Sequence, residues 1–334
     1  MKQDSSEKEV RKLTSAQVAE VAVVLKDVRL EISKAFVGQD KVVDGLICAL
    51  LCNGHVLLEG VPGIAKTLAI RALSVVCGCS FKRIQFTVDL LPSDIIGLTT
   101  YDPQQGFQVL KGPVFANFVI ADEVNRSPPK TQSALIEAMQ ERQVTIGKTT
   151  YPLPSPFFVM ANQNPLESEG VYSLPEAQVD RFLFKIIITY PEMQHEEKIM
   201  EDNITLREFS SFDLHPILSD KKILELQNLT HHVYLDRRIK TYILNIVAKT
   251  RTKDFSSGKY IELGCSPRAS IALFIASKAS ALLRGRNFVI PQDVKDVAHN
   301  IMRHRLILSY QARAENFSVD KIIDDLLQAV RAPS

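Results

Sequence analysis

Eight consecutive residues, Gly60-Val-Pro-Gly63-Ile-Ala65-Lys66-Thr67, come within one residue of the phosphate-loop pattern G-x-x-x-x-G-K-[ST]. A loop of this kind turns backbone N–H groups inward, where they cradle phosphate oxygens at a helix N-terminus. Lys66 is then placed to reach β- and γ-phosphates, and the Thr67 hydroxyl to hold Mg2+. The one departure is Ala65, which stands where the pattern has its second glycine. Its methyl is tolerated beside phosphates only if residue 65 already has helical dihedrals. A plain capped strand-to-helix turn is the competing reading. The apolar run before the loop and the amphipathic run after it argue against that.

A second constellation follows downstream. Phe118-Val-Ile-Ala121-Asp122-Glu123 is an apolar run ending in two acids, and parallel sheets bind ligands at the carboxyl ends of buried strands. Asp122 is expected to orient the Mg2+ shell, and Glu123 to polarise a water that attacks the γ-phosphorus in line. Taken alone the pattern also suits a solvated strand end; its distance behind a phosphate loop makes it specific. The run at 157–161 leads into Asn162-Gln163-Asn164-Pro165. An amide here could hydrogen-bond both the water and a γ-phosphate oxygen. Asn-Pro is equally a turn pair, and spacing does not choose between the two.

The elements that must position these residues are legible in the periodicity. Val18, Val21, Ala22, Leu25, Val28 and Ile32 recur at helical spacing from residue 15, and a second helix is expected over 40–52. Strands are expected at 55–59, 83–87, 118–122, 157–161 and 182–189, with helices at 65–76 and 129–141 between them. Such alternation means a parallel sheet covered on both faces. Two hairpin-like inserts interrupt it, at 97–109 and 143–153. Beyond residue 219 the pattern is helical with hardly a strand, over 220–230, 236–250, 266–283 and 291–308. The chain thus divides into an N-terminal helical extension (1–35), an α/β core (36–195), a connector (196–218) and a smaller all-α domain (219–334).

Composition excludes other classes. With 46% hydrophobic and 23% charged residues, the 334-residue chain can bury ample core and is not wholly disordered. Forty Lys+Arg against 38 Asp+Glu give no electrostatic case for a nucleic-acid partner. Apolar runs fall short of the ~20 residues of a membrane span, and the charged start over residues 1–12 is unlike a signal peptide, so a cytoplasmic protein is expected. Cys48, Cys52, Cys77, Cys79 and Cys265 lack ligand spacing and read as reduced structural thiols. His195-Glu196-Glu197 begins like a zinc motif, but Ile199 stands where its second histidine would be.

From residue 37 to about residue 308 the chain resembles the MoxR branch of the AAA+ ATPases. The resemblance rests on Gly60–Thr67 with its alanine, on Asp89-Leu-Leu-Pro-Ser-Asp94-Ile-Ile-Gly97, and on Gly112-Pro-Val-Phe-Ala-Asn-Phe-Val-Ile-Ala-Asp-Glu-Val-Asn-Arg126. It continues through Ser127-Pro-Pro-Lys-Thr-Gln-Ser-Ala-Leu-Ile-Glu-Ala-Met-Gln-Glu141, Leu174-Pro-Glu-Ala-Gln-Val-Asp-Arg-Phe182 and Gly264-Cys-Ser-Pro-Arg268-Ala269. Val88 departs from it, standing where the family has proline. The resemblance implies a P-loop NTPase sheet followed by a helical lid, with ATP/ADP and Mg2+ as cofactors. Val37 and Gly38 would line the adenine pocket. Gly60, Pro62, Gly63, Ile64, Ala65, Lys66, Thr67 and Leu68 would surround the phosphates, with Thr67 and Asp122 on the metal. Asn164 would be the first sensor residue. Arg268 would be the second, reaching the nucleotide of its own subunit. Arg181 would be an arginine finger reaching the nucleotide of a neighbour, with Arg126 competing for that role.

The implied activity is ATP hydrolysis in a homo-oligomeric ring, a hexamer, that remodels or matures a client protein. Insertion of a metal or cofactor into that client, and a von Willebrand factor A-domain partner, belong to the same expectation. A nucleic-acid motor, a chelatase-type motor and a nucleotide-gated scaffold with little turnover are the rivals. For the first of these, Arg284, Arg286, Arg303 and Arg305 could form a basic face on the lid.

Overall fold

The computed structural model describes residues 13–60, 66–164, 172–202 and 209–333. Helix α1 (Ser15–Ser33) starts where Thr14 and Gln17 cap each other's backbone N–H groups, and it buries Val18, Val21, Leu25, Val28 and Ile32. Helix α2 (Asp40–Leu51) is buried along most of its length. The core then runs β1 (Val56–Glu59), α3 (Lys66–Val76), β2 (Phe81–Gln85), α4 (Pro92–Ile96), β3 (Gly97–Asp102), β4 (Gly106–Lys111), β5 (Phe118–Asp122) and α5 (Pro129–Glu141). It closes with β6 (Gln143–Ile146), β7 (Thr149–Pro152), β8 (Phe158–Gln163), α6 (Glu176–Val179), β9 (Phe184–Ile187) and α7 (Met193–Asp202).

Five strands form one parallel sheet in the order β2-β5-β8-β1-β9. Its central strands β5, β8 and β1 are apolar on both faces, as a doubly covered sheet requires. Phe118, Ile120, Phe158 and Met160 pack toward α1, α2 and α3, while Val119, Ala121, Val159 and Ala161 pack toward α5. Because all five strands run the same way, every carboxyl end lies at one edge of the sheet.

The two inserts are antiparallel hairpins, β3–β4 and β6–β7. The first follows α4, a single turn too short to show a periodicity, which the sequence did not suggest. Strand β2 lies two residues earlier than expected, because 86–87 turn away from the sheet after Gln85 pairs with Asp122.

The rest comprises α8 (Asp220–His231), α9 (Arg237–Thr252), β10 (Ile261–Leu263), α10 (Pro267–Leu283), α11 (Pro291–Met302), β11 (Ile307–Leu308), α12 (Tyr310–Ala314) and α13 (Val319–Ala329). Ser219, Asp236 and Ser266 accept backbone N–H groups at the starts of α8, α9 and α10. The helix expected to reach residue 308 ends at Met302. Residues beyond it turn to make other contacts, and Ile307–Leu308 instead pairs with β10. Helix α10 packs on α1, α2, α8, α9 and α11, so the C-terminal helices and the core share one apolar interior. Among the described residues, no helix is long and apolar enough to cross a membrane, and all five cysteines are free.

Candidate active site

The carboxyl edge of the sheet gathers Glu59, Asp122 and Gln163 from β1, β5 and β8. Lys66 opens α3 beside them, and its ammonium donates to the Gly60 carbonyl and, at 3.5 Å, to that of Gln163. Thr67 and Leu68 are half-buried in the same first helical turn, and Gly60 is buried. Pro62, Gly63, Ile64 and Ala65, together with Val61, lie outside the described residues.

Asp122 is buried at 6% exposure. One carboxylate oxygen accepts from Arg83 Nε at 2.8 Å and also from Arg83 Nη2; the other accepts from Asn162 Nδ2. Glu123 lies immediately beyond the strand in the left-handed region (φ 57, ψ 49), and its N–H donates to Asn162 Oδ1 at 2.7 Å. The Glu123 carboxylate accepts from Gln85 Nε2 at 2.9 Å and pairs with Arg126 Nε at 2.9 Å. Asn162, only 3% exposed, therefore bridges the two acids. It stands in the amide stretch that the sequence flagged, where spacing could not single it out. Asn164 is buried just beyond β8. Arg83 and Gln85 were not anticipated; they share a face with Asp122 because β2 pairs Gln85 with it in register.

This edge suits Mg2+ held together with a nucleotide. Its donors are oxygens, the Thr67 hydroxyl and the Asp122 carboxylate, which is the ligand chemistry that cation prefers. Among the described residues, no group of three or more His, Cys, Asp or Glu could cage an ion by itself.

Val37 and Gly38 precede α2. Gly38 has φ +75, and a Cβ there would fall 2.5 Å from His195 Cγ on α7. Only glycine fits both the conformation and the contact. Gln39 Nε2 donates to the Thr189 carbonyl at 2.7 Å, tying the same loop to the segment after β9.

Arg181 and Arg268 lie elsewhere, at the amino edge of the sheet. Leu183 N–H donates to the His55 carbonyl, and Phe184 pairs with Val56 at the start of β1. Gly60 is at the far end of that strand. At ~3.3 Å per residue, the start of β1 and Gly60 are about 13 Å apart along the strand, and Arg181 lies in the turn before Phe184. Arg268 donates to Asp180 at 3.4 Å and shares a recess of about 300 Å3 with Arg181, Arg142 and Arg305. Helix α10 thus starts against the loop that carries Arg181, with Arg268 turned toward Asp180. Arg181 is exposed and makes no side-chain ion pair among the described residues. Its neighbour Asp180 is engaged by Arg268 and Arg305. Arg126, the competitor, sits at the other edge and pairs with Glu123.

His55 underlies this recess. Burial, with the positive charge of Arg142 nearby, pushes its imidazole down to about 4. It is neutral, with Nδ1 accepting from Val159 N–H at 3.0 Å and Nε2 donating to the Met139 carbonyl at 3.1 Å.

The basic lid face considered for nucleic acid does not form. Arg284 pairs with Asp296, Arg286 with Asp293, Arg303 with Asp320 and Arg305 with Asp180. The β3–β4 hairpin instead exposes Leu98, Tyr101, Phe107 and Leu110. Tyr101 and Phe107, 65% and 79% exposed, meet near its tip with ring centroids 5.1 Å apart and planes tilted by 59°.

Comparison with known proteins converges on one family. Residues 55–184 match the model "ATPase family associated with various cellular activities (AAA)", and residues 255–326 match the AAA lid domain. The chain is 46% identical over 311 residues to the chaperone MoxR1 of Mycobacterium tuberculosis, covering 91% of this chain and 81% of that one. It is 45% identical to YeaC of Bacillus subtilis, covering 90% and 92%. Protein MoxR of Methylorubrum extorquens is 29% identical, with 90% and 91% covered. A crystal structure from Cytophaga hutchinsonii, described as a candidate ATPase, superposes with a TM-score of 0.87 at 44% identity, covering 95% of this chain and 97% of the other. A parallel sheet with Lys66, Asp122 and Glu123 at one edge, a helical lid, and these likenesses together place the chain in the MoxR family of AAA+ ATPases.

Proposed function

We propose that the protein hydrolyses ATP to ADP and phosphate with Mg2+, acting as a ring of identical subunits that remodels a partner protein. The observation that carries this reading is the convergence of Lys66, Asp122 and Glu123 on one strand edge. Lys66 would hold the β- and γ-phosphates. Bound Mg2+ would neutralise charge on the same oxygens, with Thr67 and Asp122 as its protein partners. Glu123 would take the proton of the attacking water, its carboxylate aimed by Gln85 and Arg126 and its backbone by Asn162. Asn164 would complete the set as a sensor of the γ-phosphate.

Charge on the transferring phosphoryl group still needs a guanidinium. An extended arginine side chain spans about 7 Å by bond-length arithmetic, less than the ~13 Å from the start of β1 to Gly60, so Arg181 would fall short of its own Lys66. It would serve a neighbour's nucleotide, and Arg268, which lines the same recess, would act alongside it on the same molecule. Two subunits then make each site, which calls for a closed ring; six is the number the family resemblance implies. The residue ranges given from sequence for extension, core, connector and lid belong to the same reading. Lid movement driven by hydrolysis would be passed to the exposed hairpin, where Tyr101 and Phe107 present an aromatic grip to a client. A chaperone-like role accords with the name of the MoxR1 relative. The paired lid arginines favour a protein client over nucleic acid; metal insertion and an A-domain partner remain part of the proposal.

The test is turnover by Arg181→Ala. It should bind ATP like wild type and release phosphate at less than about a hundredth of the rate. Full turnover at a concentration where the protein is monomeric would overturn the two-subunit site.

A further inference from the structure

Three consecutive residues beyond α11 grip the loop that carries Arg181. Arg303 Nη1 donates to the Lys185 carbonyl at 2.9 Å, and His304 Nε2 meets the Phe182 carbonyl at 3.0 Å. Arg305 does most. Its Nε donates to Asp180 Oδ1 at 2.7 Å, and its Nη2 to the carbonyls of Asp180 (3.1 Å) and Phe182 (2.6 Å). Its Nη1 donates to the carbonyls of Leu183 (3.1 Å) and Ile301. A guanidinium carries five N–H donors in a rigid fork, and here each has an acceptor. The side chain is 3% exposed. The two residues flanking Arg181 thus have their carbonyls pinned by one buried cation, while Arg181 itself projects into solvent. Asp180, held by the same cation, also accepts from Ser266 and Arg268 at the start of α10.

We propose that Arg305 is the positioning residue of the arginine edge: it fixes Arg181, and through Asp180 also Arg268, so that lid and edge move together toward a neighbour's nucleotide. This rests on the reading that Arg181 acts on the adjacent subunit. A lysine could not replace it, since a point charge with three donors cannot span a carboxylate and four carbonyls. The nucleotide of the same subunit would lie at the opposite edge, beside Lys66, so loss of Arg305 should leave ATP binding intact and remove the service given to the neighbour.

Subunit mixing reads this directly. Arg305→Gln should bind ATP within about threefold of wild type and lose turnover by tenfold or more. Lys66→Ala, with no working phosphate site but an intact arginine edge, should be inactive alone. Mixed in equal amounts, each supplies what the other lacks. Random assembly would give about a quarter of its interfaces the productive pairing, hence about a quarter of wild-type turnover. A subunit that is simply misfolded would not be rescued in this way. Should Arg305→Gln not fold, Asp180→Asn removes the central acceptor from a side chain that is 20% exposed and should behave alike. The control is Arg181→Ala mixed with Lys66→Ala. Recovery in both mixtures supports the proposal. Recovery in the control alone, or wild-type turnover by unmixed Arg305→Gln, overturns the role of Arg305 and leaves the two-subunit site standing. Failure of both mixtures overturns the two-subunit site and the proposal with it.

Discussion

Replacing Asn162 by alanine separates catalysis from nucleotide binding. Its amide makes one hydrogen bond to a buried carboxylate, Asp122, and one to the Glu123 N–H at 2.7 Å. A bond to a charged group contributes about 1.5–3 kcal/mol and a neutral one about 0.5–1.5 kcal/mol. At 3% exposure water does not readily replace them, so the variant should lose roughly 2–4 kcal/mol of stability. Asp122 keeps Arg83 as a partner, which limits the loss. Glu123 fares worse. A left-handed backbone costs about 1–2 kcal/mol for a residue with a side chain, and the Asn162 bond offsets much of that. Once it is gone, the carboxylate spends only about a tenth of its time correctly aimed, and turnover should fall about tenfold. Lys66 does not depend on Asn162, so ATP affinity should stay within about threefold. Urea unfolding, ATP titration and phosphate release test the three parts. Stability lost with turnover unchanged would refute the claim that Asn162 aims Glu123.

Further outcomes follow from other contacts. Gly38→Ala combines positive φ with a 2.5 Å encounter with His195; it should lower the melting temperature by several degrees and weaken ATP binding, and unchanged binding would remove Gly38 from the adenine side. Tyr101→Ala with Phe107→Ala should leave basal hydrolysis within about twofold, since the hairpin tip is exposed, while abolishing stimulation by a client; loss of basal turnover would place the pair in the site instead. The neutral His55 makes stability pH-dependent. Its folded value of about 4 lies below the ordinary ~6.5, so the unfolded chain binds more protons between the two. Its stabilisation is complete above ~6.5 and falls as pH drops toward 4, by about 2 kcal/mol between pH 7 and pH 5. His304, whose imidazole burial also pushes down, with Arg305 adding to the effect, adds in the same direction. A flat unfolding free energy over that range would contradict both.

Much of this architecture was legible because its signals are local. Apolar runs 118–122 and 157–161 sit where β5 and β8 form, and Ser266-Pro267 marks the start of α10. The acids were legible because a strand ending in Asp122-Glu123 follows a phosphate-loop pattern. What was not legible depends on three-dimensional register. Arg83 and Gln85 matter only because β2 lies next to β5, and nothing in the order of the chain announces that pairing. Nor does the order of the chain announce that Arg268, at the start of α10, meets Asp180. Arg303 and Arg305 read as surface cations in the sequence. Their burial follows from carbonyls more than a hundred residues away in the chain.

The central claim, that the strand edge around Lys66, Asp122 and Glu123 hydrolyses ATP, is tested most directly by Glu123→Gln. The amide keeps the size of the side chain but cannot accept the water's proton. Phosphate release and ATP retention should be measured together on the purified variant and wild type with Mg2+. Wild type should release phosphate, and the variant should hold ATP uncleaved with turnover at least a hundredfold lower. Equal turnover by both proteins, or neither binding nor cleavage by wild type at any protein concentration, would contradict it.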